Sequence, residues 1–186
     1  MIVRERFRLA GMNREFVPTR LDVTGFAEAA ATLHGSDPVV GYARLSAELA
    51  ESAPDAQVAW TAEGESRTGS DGAPVSWLHL HAEATLPFVC QRCLAPFAYP
   101  LESSTMLVLG KDDEEADQIE EILDNESIDV IVGSRTCDIR DLLEDEALLA
   151  LPQVPKHDVC PATPMLDALK SDKPSPFAGL QNLKSE

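Results

Sequence analysis

Aromatic residues are scarce in this 186-residue chain, where Phe, Trp and Tyr together make up 5%. Few rings are available to stack on unpaired bases, which is how single-stranded RNA is most often held. Basic residues are short as well: Lys and Arg number 15 against 32 Asp and Glu, for a formal net charge of −17. A body with that balance repels phosphate backbones and suits basic partners, with plain solubility as the bland alternative. No apolar run approaches the roughly 20 residues of a membrane span. Residues 1–16 mix Arg with Glu and lack the apolar stretch and cleavage site of a secretion signal; Met12 offers itself as a native start. Four cysteines are too few for a disulfide scaffold in a chain of this length. The expectation is a soluble cytoplasmic protein with reduced thiols. Also missing are the G-x-S-x-G turn, the Walker loop, the H-E-x-x-H helix and the dinucleotide-binding glycine pattern. With no nucleophile partnered by a base and no phosphate cradle, the sequence argues against an enzyme.

What is present starts with an apolar content of 44%, enough for a folded core. The acids are unevenly spread. Residues 1–20 hold five Arg and two acids, whereas residues 111–146 hold fifteen acids and three basic residues. Strict alternation over residues 75–90 predicts a strand with Leu78, Leu80, Ala82, Ala84 and Leu86 on one face. Trp77, His79, His81, Glu83 and Thr85 fall on the other. Residues 98–109 read as its returning antiparallel partner and residues 57–65 as another strand, with a turn over 66–74. Residues 25–33 read as a short Ala-rich helix, and residues 41–49 fit strand or helix equally well. His34 reads as loop. Residues 110–126 read as an acidic excursion with a short helix at 119–123, followed by a short strand over 127–133. Residues 138–151 predict an amphipathic helix with Asp138 as N-cap, and Ile139, Leu142, Leu143 and Ala147 or Leu149 on its buried face. Pro152 and Pro155 stop it. The architecture expected is a single α+β domain over residues 1–170, an antiparallel β-sheet or partly closed barrel with a few packing helices. Residues 171–186 form a flexible tail.

The stretch "FVCQRCLAPF" places Cys90 and Cys93 at the tip of the predicted hairpin. Zinc asks for about four borderline or soft ligands in a tetrahedron, and a C-x-x-C turn supplies two. The other pair at matching spacing is His157 and Cys160 in "HDVC". Together they would make a Cys3His zinc site tying the hairpin tip to the segment after the last helix. Two reduced thiols in a turn, with no metal, is the competing reading. A redox pair is the third, although such a pair normally opens a helix and here the chain runs on as a strand. Arg92, between the thiols, favours a thiolate. Cys137 reads as a small buried or capping-region residue, and His79 and His81 as exposed strand histidines.

Three segments in this order, "FVCQRCLAPF", "DIRDLLEDEALLALPQVPKHDVC" and "KPSPFAGLQNLK", resemble the YceD family of large ribosomal RNA subunit accumulation proteins, over roughly residues 15–186. The resemblance implies a non-enzymatic role in large-subunit ribosomal RNA accumulation and large-subunit biogenesis, with no catalytic residue to carry over. Many relatives carry two C-x-x-C-like pairs; this sequence keeps Cys90 and Cys93 and offers His157 and Cys160 opposite them. Combined with the charge, the implied partner is a basic ribosomal protein or assembly factor of the large subunit, met through the acidic residues 111–146. The alternative, direct ribosomal RNA contact, would fall to Arg4, Arg6, Arg8, Arg14 and Arg20, to Arg92, or to Lys156. A metal- or thiol-dependent enzyme is the remaining alternative.

Overall fold

The computed structural model describes residues 16–50, 53–69, 72–123 and 128–161. The possible start at Met12, the domain limit at residue 170, the tail at 171–186 and four of the five N-terminal arginines lie outside those residues. The fold is α+β. Five strands form one open, mixed sheet in the order β1-β2-β3-β4-β5. They are β1 (Thr32–Pro38), β2 (Gln57–Thr68), β3 (Pro74–Val89), β4 (Pro96–Gly110) and β5 (Asp129–Val132). The antiparallel expectation holds for β1 to β4. It fails at β5, which runs parallel to β4 through Leu107↔Asp129 to Gly110↔Val132. The cause is the acidic segment: it folds as the helix α3 (Asp113–Leu123), twice the length expected, and crosses back before the next strand begins. The barrel alternative is not formed, because β1 and β5 stay at opposite edges.

Strand alternation decides which face is buried. Leu78, Leu80, Ala82 and Leu86 of β3, Val58, Trp60 and Ala62 of β2, and Leu101, Leu107 and Leu109 of β4 all enter one core. That inner face is covered by α1 (Val23–Glu28), α2 (Ala43–Ala47) and α4 (Ile139–Leu149), through Phe26, Ala27, Leu45, Ile139, Leu143 and Ala147. Leu149 is 78% exposed, so Ala147 is the residue that completes the buried stripe of α4. Asp138 caps α4 as expected, accepting from the Arg140 N–H at 2.9 Å. On the outer face, among the described residues, only α3 lies against the sheet, at the β4–β5 end. A Cβ built on Gly110 would meet Ala116 N at 2.8 Å, so glycine is what lets the helix approach.

Two expectations near the N-terminus are corrected. The helix expected over 25–33 ends at Glu28, because Ala30 turns left-handed (φ 45°) and the Ala31 N–H donates back to the Phe26 carbonyl, closing a Schellman motif. The chain then enters β1, so His34, read as loop, is an exposed strand residue opposite Thr61. Residues 41–49, open between strand and helix, contain α2. Among the described residues no helix is long and apolar enough to cross a membrane.

Candidate metal centre

The cysteine turn is built by the hairpin that carries it. β3 ends at Val89 and β4 begins at Pro96. Between them the Cys90 N–H donates to the Ala95 carbonyl at 3.0 Å and the Leu94 N–H to the Cys90 carbonyl at 2.8 Å. Leu94 adopts a left-handed φ of 58°, which curls the turn tightly enough to bring both sulfurs to one side. The second pair arrives from the other end of the domain. Beyond α4 the chain runs along the hairpin tip, held by the Gln91 N–H on the Pro155 carbonyl at 2.9 Å. The His157 ring lies on Phe97 with centroids 4.8 Å apart, which fixes its orientation.

These contacts bring the four predicted residues together. One ligand atom from each of Cys90, Cys93, His157 and Cys160 lies within 4.8 Å of every other. Cys90 Sγ is 3.7 Å from Cys160 Sγ, and Cys93 Sγ is 3.4 Å from His157 Nδ1. A tetrahedron with metal–sulfur bonds of about 2.3 Å and a metal–nitrogen bond of about 2.0 Å has S···S edges of about 3.8 Å and S···N edges of about 3.5 Å. The donor set and its spacing therefore fit a metal ion of zinc's size and softness, and the cluster can hold one. All four cysteines are free thiols, and the C-x-x-C pair sits in a strand hairpin rather than at a helix start.

The surroundings prepare the sulfurs to act as ligands. Burial raises the Cys90 thiol, but the backbone N–H groups of His157, Cys93 and Arg92 outweigh it and bring it down to about 5. The backbone N–H donated at Ala95 lowers the Cys93 thiol, yet burial and the neighbouring sulfurs of Cys160 and Cys90 leave it raised. Cys90 and Cys93 are thus pushed in opposite directions, as two thiols sharing one site are. Arg92 is anchored here: its Nε donates to Cys160 Sγ at 3.0 Å and its Nη2 to the His157 carbonyl at 2.9 Å. The sequence placed Arg92 between the thiols; its bonds to Cys160 and to the His157 backbone depend on a fold contact that no local pattern announces. Such outer contacts orient ligands and balance the charge of a thiolate-rich centre.

The other candidate residues stay apart. Cys137 is half-buried, bridged through its backbone to Leu21, and burial pushes its thiol up. His79 pairs with Glu65 at 3.2 Å on the outer sheet face, and His81 lies on that face too. A groove of about 550 Å3 runs beside the cluster, between Phe88 and Val89 on one wall and Leu148, Leu151 and Pro155 on the other. Both walls belong to segments that the four cluster residues bring together.

No solved structure matches the chain. Residues 78–184, which span the hairpin, α3, β5, α4 and all four cluster residues, match the family model described as large ribosomal RNA subunit accumulation protein YceD. That match covers more than half of the sequence, and the chain belongs to the YceD family.

Proposed function

We propose that this chain is a non-enzymatic cytoplasmic factor that supports accumulation of large-subunit ribosomal RNA by holding a basic ribosomal protein or assembly factor of the large subunit against its acidic surface. Family membership supplies the process. The observation that carries the mechanism is electrostatic: Asp113, Glu114, Asp117, Glu120 and Glu121 of α3 are exposed and make no ion pair among the described residues. Carboxylates left unpaired on a body of net charge −17 favour lysine- and arginine-rich surfaces and speed encounter with them. They disfavour naked phosphate backbones. Arg92, the cation best placed at the hairpin tip for RNA, is already engaged with Cys160 and His157.

Within the same reading, zinc bound by Cys90, Cys93, His157 Nδ1 and Cys160 is a structural clamp and takes no part in chemistry. It neutralises the clustered sulfurs and fixes the segment after α4 on the hairpin tip. Affinity capture of the native protein at moderate salt, with elemental analysis of the same sample, tests both parts. A basic large-subunit protein and about one zinc per chain are expected. Bare ribosomal RNA without a lysine-rich polypeptide overturns the partner; a metal-free, fully folded sample overturns the clamp.

A further inference from the structure

We propose that the partner of this reading is seated on the open outer face of the sheet, where a Lys/Arg-rich protein segment runs across β2, β3 and β4 beside α3, with its cations over Glu63, Glu83 and Glu102. The inference rests on the basic-partner reading above and adds the surface. It also relocates the contact, because the acidic region 111–146 divides into two halves with different fates.

The α4 half is used internally. Glu144 is buried and its carboxylate accepts from the Arg44 N–H at 2.7 Å, the Leu45 N–H at 3.1 Å and the Arg44 Nε at 3.0 Å. Asp145 pairs with the same guanidinium, Asp138 caps the helix, and Glu146 is half-buried beside Thr105 with its carboxyl raised by burial. Little of that charge is left to offer. On the α3 half, Glu115 takes the Lys111 ammonium at 2.7 Å, and the five exposed acids named above remain unpaired among the described residues.

The outer face of the sheet extends that second surface. Register and alternation place Glu63, Glu83, Glu102, Thr61, His81 and Ser104 there together, with no helix above them among the described residues. Glu83 and Glu102 are directly opposite each other on neighbouring strands, both exposed, and neither has an ion pair among the described residues. Opposed like charges on adjacent strands are destabilising, at a Cβ separation of about 5 Å that one guanidinium or ammonium can bridge. The cations bordering this face are spoken for: Arg67 bonds Glu65 at 2.7 Å and stacks on Trp77, and Lys111 bonds Glu115. The same face holds a second unmet group, since Trp77 is 7% exposed and its Nε1 has no acceptor among the described residues. Around Glu83 and Glu102 the neighbouring side chains Thr61, His81 and Ser104 are polar, whereas Trp77, Met106 and Val108 lie further along the face toward α3, so the part under the opposed carboxylates offers charge and hydrogen bonds. That chemistry selects a basic, polar segment.

The test is fluorescence anisotropy of a labelled oligoarginine peptide titrated with the full chain, at low and at physiological salt. The triple variant Glu63→Gln, Glu83→Gln, Glu102→Gln is compared with an equal-charge control on the other side of the molecule, Glu48→Gln, Asp141→Asn, Asp158→Asn. The sheet variant is expected to weaken binding about tenfold and flatten the salt dependence, with the control within about twofold of wild type. Removing opposed carboxylates leaves the melting temperature unchanged or higher; if the triple variant misfolds, Glu83→Gln alone carries the same expectation at smaller size. Equal weakening in both variants overturns the surface and leaves the basic-partner reading standing. Weakening in neither overturns the sheet surface alone, because the acids of α3 are untouched in both variants; no binding of the peptide by the wild-type protein, or its preference for a ribosomal RNA fragment over the peptide, overturns both.

Discussion

Leu94 holds a left-handed backbone at φ 58° with its side chain 69% exposed, so little packing offsets the strain. That conformation costs an L-residue about 1–2 kcal/mol, of which glycine's extra unfolded-state freedom recovers part. Leu94→Gly is therefore expected to stabilise the domain by about 0.5–1 kcal/mol, read as a rise in melting temperature with metal content unchanged; a fall would mean that Leu94 packs on something. Gly35 is the opposite case. It faces Trp60 across β1 and β2, and a Cβ there would lie 2.6 Å from the indole Cζ2. The ring cannot retreat, because its Nε1 donates to Asp37 at 2.9 Å and Asp37 is held in turn by Arg140 at 3.1 Å. Gly35→Ala should cost about 1–3 kcal/mol in urea denaturation, and an unchanged midpoint would refute the clamp on the ring. Nothing local in the sequence reveals this constraint. Trp60 reads correctly as a buried strand residue, but the partner of its indole lies more than twenty residues upstream.

At the scale of elements, α4 serves as a strut as well as a core helix. The carboxylate of Glu144 receives the first free N–H groups of α2 at Arg44 and Leu45 and so acts as that helix's missing cap from across the fold. Glu144→Ala leaves the buried Leu45 N–H and the part-buried Arg44 N–H without their acceptor, and a loss of about 2–4 kcal/mol follows. Arg44→Ala should cost clearly less, since its guanidinium is half exposed; equal losses would show that the ion pair, and not the cap, carries the contact. The same comparison explains what was legible beforehand. Strands β3 and β4 could be read because alternation over sixteen and fifteen residues is a strong signal, and α4 because its cap, apolar stripe and stopping prolines agree. β1 was hidden by an Ala-rich run that continues the helical pattern into "TLHGSDP", and its ending depends on Ala30. The parallel pairing of β5 was hidden because periodicity says nothing about strand direction. Direction follows from α3, whose acidic sequence resembles a solvated loop until Asp112 is seen to cap it, accepting from the Glu115 N–H at 2.9 Å, while the Glu115 carboxylate reaches back to the Lys111 N–H at 2.6 Å.

For the whole molecule, the Cys3His cluster and the acidic outer face lie apart on one sheet. The four cluster residues bring the hairpin tip to residues 64 and 70 positions further on, and the matched C-x-x-C and H-x-x-C spacings made that meeting readable in the sequence. The acidic face was readable only as a surplus of charge, since its location depends on strand register and on α4 consuming its own carboxylates. The core between them, from Phe26 through Leu78, Leu80 and Leu143, includes none of the three cysteines or the histidine of the cluster. If zinc sits in the cluster as proposed, removing it should open one end instead of the fold. With a chelator present, amides at 91–95 and 153–160 are expected to exchange at least about tenfold faster, whereas those at 78–84 in the centre of β3 keep their protection. The metal-stripped protein should also still bind the oligoarginine probe, because Glu63, Glu83 and Glu102 are placed by the strands and the core beneath them. A uniform rise in exchange along β3 would show that the centre holds the whole domain together, and loss of peptide binding on stripping would show that the two ends are coupled through the long β3–β4 hairpin.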